Sequence, residues 1–140
     1  MNVILLVIGA LPFVVGGIQN WYMITYADSV LPYRVIAFAF LFVWGGSAFL
    51  MNKKGENTKR IVVFMNLLAF LDLVLIGVQE LVFHTYWGNS IGGWTQMFYL
   101  PVLGLGFDLT NWSHTVFTAY AVGFILMIIA SLVGCKIRER

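Results

Sequence analysis

Charge is scarce in this chain. Of its 140 residues, eight are Lys or Arg and six are Asp or Glu. They form no basic face or stripe, so nucleic acid is excluded as a partner. Cysteine occurs once, at Cys135. One thiol cannot form an internal disulfide, and a free thiol suits a reducing compartment. Motifs of common chemistries are missing too. There is no phosphate-binding glycine loop with its lysine, no nucleophile elbow, no paired-cysteine redox motif and no paired histidines for haem. No cofactor is expected.

What is present is apolar. The hydrophobic fraction is 61%, far outside soluble norms. A spanning helix needs roughly 20 mostly apolar residues, and four stretches qualify: 3–26, 32–52, 60–83 and 115–135. The expected fold is all-α: a multi-pass integral membrane protein, one domain, built as a four-transmembrane-helix bundle in a lipid bilayer. The first stretch lacks a basic n-region and a small-x-small cleavage site, so it reads as a span and not a signal. Lys53, Lys54, Lys59 and Arg60 flank the second connection, Lys136, Arg138 and Arg140 end the chain, and only Arg34 lies on the other side. Basic residues stay cytoplasmic, which predicts both termini there. Trp21, Trp87, Trp94 and Trp112, with Tyr22, Tyr26, Tyr33 and Tyr86, gather toward the opposite boundary as an interfacial belt. Trp44 lies deep in the second span.

The chain also resembles itself. VVGGIQNWYMITY at 14–26 aligns without gaps to VLIGVQELVFHTY at 74–86, pairing Gly17 with Gly77, Gln19 with Gln79, Thr25 with Thr85 and Tyr26 with Tyr86. Duplication predicts two tandem helical hairpins, parallel and related by an axis along the membrane normal. The competing explanation is chance similarity between two apolar helices. The second hairpin carries a long outer insert, 84–114, in place of a short connection. It contains QMFYLPVLGLGF, too short to span. A re-entrant or interfacial segment is tolerated at membrane depth only when buried against protein or water. Pro101, Gly104 and Gly106 argue against one regular helix there, and Gly92-Gly93 reads as a turn. The expectation is a structured lid over the outer end of the bundle, held at the interface by Trp94, Phe98 and Trp112.

Small residues mark seams for close helix approach: Gly9, Gly16 and Gly17 in the first span, Gly45 to Ala48 in the second, and Ala119, Gly123, Ala130 and Gly134 in the fourth. The third span carries the polar side chains. With Asn66 as zero on a helical wheel, Glu80 falls roughly 40° away, Asp72 about 120° and Gln79 about 140°, all to one side. That arc should face the bundle interior. An ionisable group in a bilayer core is costly and a functional candidate by default. Asp72 therefore has two readings, a neutral acid bonded to a neighbouring helix, or a proton- or cation-binding group. In the repeat it aligns with Pro12, whose ring leaves the Ile8 carbonyl unpaired; a neutral Asp72 is expected to donate to that carbonyl.

A second polar set lies toward the outer end: Gln19, Asn20, Gln79, Glu80, His84, Asp108 and His114. Glu80 and His84, four apart, should share a helix face. The set reads first as a polar cap on an aqueous vestibule, or as an acid–base pair. Glu80, His84, Asp108 and His114 are the candidate metal ligands, but their spacing matches no zinc signature and no metal is expected.

The first span and glycine-bearing second span look like DoxX-type proteins. QELVF at 79–83 resembles a carboxylate motif of the sterol-isomerase and sigma-2-receptor superfamily, in which the long loop follows the first span and not the third. Neither match extends beyond a few residues, and neither family is assigned. The residues favour a small non-catalytic ligand-binding or accessory subunit, a homo-oligomer or part of a membrane complex, its polar outer vestibule capped by the insert. One alternative is a proton- or cation-coupled transporter using Asp72 or Glu80. The other is a lipid- or isoprenoid-modifying enzyme, with Glu80, Asp72 or His84 as acid or base and the ring of Trp44 or Tyr120 steadying a cation.

Overall fold

The computed structural model describes residues 2–138; Arg140, expected among the basic C-terminal anchors, lies outside them. The chain is 81% helix, and no strand occurs among the described residues. The helices are α1 (Asn2–Gly9), α2 (Leu11–Thr25), α3 (Tyr33–Lys53), α4 (Thr58–Gly77), α5 (Ser90–Phe98), α6 (Leu100–Leu109) and α7 (Val116–Arg138), and a π-helical turn, Val78–Val82, prolongs α4. Four stretches are long and apolar enough to cross a membrane: Val3–Thr25, Tyr33–Lys53, Thr58–Val82 and Val116–Ile137.

Local chemistry sets the boundaries. The first span is broken at Ala10, whose N–H bonds back to Leu6 and Val7 while Phe13 N–H bonds to the Ala10 carbonyl. Pro12 sits in the first turn of α2, where its missing N–H costs nothing. The link from α3 to α4 turns at Gly55, with φ of 92°, a conformation glycine adopts without penalty. Asn57 caps α4 by accepting from Lys59 N–H at 2.9 Å. At the other end of α4 the backbone widens, with Phe83 N–H reaching the Val78 carbonyl five residues back. The helix then stops at His84, a non-glycine residue with φ of 52°.

The spans pack in an open arc: α3 on α7, α7 on α4, and α4 on α1. The first span and α3 are consecutive in the chain but stand apart. Between them sits α6, which packs on α2, α3 and α7, while α5 packs on α2 and α4. The segment expected as a lid is therefore a helical hairpin driven into the bundle. Its tip is core: Phe98 and Tyr99 are fully buried, alongside Trp44, Ile61, Met65, Val102 and Met127. Phe98 meets Phe13 edge-on at 4.6 Å.

Small residues make this entry possible. A Cβ on Gly16 would overlap the Met97 carbonyl oxygen of α5, and one on Gly106 would overlap the Ala119 carbonyl oxygen of α7. Two expectations about the insert change as a result. Phe98 is not an interfacial anchor, whereas Trp94 and Trp112 remain exposed. Gly92-Gly93 is not a turn but lies within α5, where Asn89 Oδ1 accepts from Gly92 N–H at 2.9 Å. Glycine is needed at 92 because a Cβ there would overlap the Trp87 carbonyl.

Candidate functional site

The polar arc on α4 and its π-turn faces inward: Asn66, Asp72 and Gln79 are buried, and Glu80 is half-buried. Each meets a different neighbour. Asn66 Nδ2 donates to Ser131 Oγ on α7 at 3.1 Å and to the Val62 carbonyl at 2.9 Å. Gln79 is fully engaged, its Nε2 donating to Thr95 Oγ1 at 3.1 Å and its Oε1 accepting from Trp87 N–H at 3.0 Å. It ties the π-turn to the start of the hairpin. Glu80 Oε2 accepts from the Tyr86 hydroxyl. Burial first, and then the Glu80 carboxylate, push the Tyr86 phenol up, so Tyr86 remains the donor.

Asp72 is different. It is 4% exposed, and its Oδ2 is enclosed with no protein partner. The expected bond to the Ile8 carbonyl is not formed. Gly9 abuts the carbonyls of Met65 and Phe64, and Met65 precedes Asp72 by seven residues, about 10 Å along a helix. Instead Asp72 lies within electrostatic reach of two phenols, Tyr99 at the hairpin tip and Tyr120 on α7. Those rings meet edge-on at 5.7 Å. The Tyr99 hydroxyl donates to the Ala69 carbonyl at 2.6 Å, one turn from Asp72 and halfway along α4.

The outer set predicted as one vestibule is dispersed. Gln19 is buried with both amide atoms unpartnered. His84 and His114 are exposed. The widened π-turn and the left-handed His84 break the helix, so Glu80 and His84 do not share a helical face. Asp108 is exposed and pairs with Arg34, whose Nε lies 2.7 Å from Oδ2. That hydrogen bond holds the Asp108 carboxyl below the usual carboxylate range. The pair borders a cleft of about 410 Å³, lined also by Pro32, Tyr33, Val35 and Gly104. Among the described residues no three His, Cys, Asp or Glu side chains are grouped to hold a metal ion.

Two apolar clefts also lie among the described residues. One, of about 460 Å³, lies between α2 and α5 at Phe13, Gly17, Trp94 and Met97. The larger, of about 590 Å³, runs between α3 and α7 past Phe42, Gly46, Phe49 and Val133. Sequence reasoning did not single out Tyr99, Thr95 or Ser131, and it noted Tyr86 only as a belt aromatic and repeat position. Arg34 and Asp108 were each noted, but not as a pair across 74 positions. Only Tyr99 carried a usable signal, lying just before Pro101 in the short apolar run, where a helix must restart.

No family model matches the chain, nor does any curated protein or solved structure.

Proposed function

We propose that the chain is a small multi-pass membrane protein that acts without catalysis, as a ligand-binding or accessory subunit. The observation that carries this reading is the seating of the α5–α6 tip. Phe98 and Tyr99 fill the centre of the bundle, where an interior substrate chamber would otherwise lie. Three of the outer polar groups are committed to structural bonds: Glu80 to Tyr86, Gln79 to Thr95 and Trp87, Asp108 to Arg34. Space for a ligand or partner is left on the flanks and beside the Arg34–Asp108 pair. Both termini lie on the cytoplasmic side in this reading, with Lys53, Lys54, Lys59 and Lys136 as anchors. In this reading the two halves descend from a duplication in which the second gained the α5–α6 insert, which separates the first span from α3. The assembly is a homo-oligomer or a complex with another membrane chain.

Native mass spectrometry from mild detergent tests the reading. It predicts a retained partner, second copy or lipid. A bare monomer that drives solute uptake in proteoliposomes would overturn it.

Asp72 favours a second reading, a proton- or cation-coupled transporter. A buried carboxyl with an unpartnered oxygen, within electrostatic reach of two phenols, is the group such a cycle would load and unload. Uptake altered by Asp72→Asn is its signature.

A further inference from the structure

We infer that the groove between α3 and α7 seats one acyl chain of an anionic phospholipid, with its headgroup at Lys53 and Lys136. This deepens the binding reading above and rests on it. The two helices touch backbone to backbone at their small residues, because a Cβ on Gly134 would overlap the Gly45 carbonyl oxygen. Larger side chains, Phe42 and Phe49 on α3 and Val133 and Ile137 on α7, then stand as walls. Gly46 leaves the floor open, since a Cβ there would meet nothing within 4 Å.

Length and charge choose the occupant. On α3 the groove runs from Phe38 to Phe49, which at 1.5 Å per residue is about 16 Å. That is about half of the roughly 30 Å hydrocarbon core, the reach of one acyl chain. A partner helix crossing the whole bilayer would need a groove about twice as long. At one end, Lys53 follows Phe49 by one turn on the same face, and Lys136 follows the lining residue Val133 by three positions. Both lysines are exposed, and neither is in an ion pair among the described residues. An apolar slot about one acyl chain long, with two lysines near one end, fits a chain bearing a negative head.

The test titrates phosphatidylglycerol and phosphatidylcholine with identical acyl chains onto the full chain in mild detergent, read by native mass spectrometry. Wild type should prefer phosphatidylglycerol. Lys53→Gln should weaken that lipid about fivefold, the worth of one basic residue at an anionic surface, and leave phosphatidylcholine unchanged. Lys54→Gln, about 100° round the helix, should change neither. Gly46→Leu should weaken both lipids without lowering thermal stability. Equal binding by Gly46→Leu and wild type overturns the proposal, as does phosphatidylglycerol binding unchanged by Lys53→Gln. A second protein chain released by Gly46→Leu overturns the lipid assignment and leaves the subunit reading standing. Solute uptake by bare monomer defeats that reading whatever the lipid result.

Discussion

Substituting Gly16 and Gly17 with alanine, one at a time, probes the inserted hairpin by an internal comparison. A Cβ at Gly16 would overlap the Met97 carbonyl oxygen and lie 2.9 Å from its carbon. Both atoms are backbone of α5, so no rotamer change relieves the clash and the hairpin itself must move. Overpacking of this kind costs about 1–3 kcal/mol. At Gly17 a Cβ would meet nothing within 4 Å. Replacing glycine by alanine inside a helix also returns about 0.5–1 kcal/mol, but both variants share that gain. Their difference is the clash alone, about 1–3 kcal/mol. Thermal unfolding in one mild detergent, followed by tryptophan fluorescence, should place Gly16→Ala several degrees below wild type and Gly17→Ala at or above it. Equal melting of the two variants would mean that α5 does not lie against α2, and the inserted hairpin would fall with it.

Three other outcomes follow from the site. Asp72 Oδ2 has no protein partner, so Asp72→Leu should raise thermal stability, by up to about 1–3 kcal/mol for removing a buried unsatisfied group, whereas Asp72→Asn should not; the reverse order would restore a bonded structural role. Gln79→Leu removes the bond to Thr95 and strands the Trp87 N–H, so stability should fall by about 1–3 kcal/mol, with faster amide exchange at Trp87. Arg34 holds the Asp108 carboxyl low, so the pair contributes fully above the ordinary carboxylate value of about 3.9 and is lost as pH falls through the lowered folded value. Wild type should therefore lose slightly more stability than Arg34→Gln between neutral pH and about pH 3, a small difference that high salt removes.

Long apolar runs made the four spans legible. The expected stretches 32–52 and 115–135 differ from Tyr33–Lys53 and Val116–Ile137 by one or two residues, because hydropathy summed over a span outweighs local detail. The inward face of the third span was legible too, since helical periodicity alone places Asn66, Asp72 and Gln79 on one side. The break at Ala10 was not foreseen, although Pro12 was noted for the carbonyl it frees. The hairpin's depth was hidden for a different reason. The run around Tyr99 is short enough to suit an interface or a bundle centre, and only its neighbours decide. Those neighbours, Phe13, Ala69 and Tyr120, come from separate helices and share no spacing rule. The π-turn displaced His84 from Glu80, because one extra residue in a turn rotates everything beyond it.

The central claim is that α6 lies inside the bundle against α7, and a single engineered disulfide tests it directly. A Cβ on Gly123 would sit 3.8 Å from the Cβ of Val102, within the 3.5–4.5 Å that a disulfide spans. The double variant Val102→Cys, Gly123→Cys, with Cys135→Ala to remove the native thiol, is oxidised in its membrane with a lipid-soluble catalyst and then blocked with a thiol reagent. Intact mass spectrometry should find a monomer two hydrogens lighter and carrying no blocking groups, with melting at or above the reduced form. A monomer that carries two blocking groups under conditions that oxidise an exposed pair would place α6 elsewhere and contradict the account.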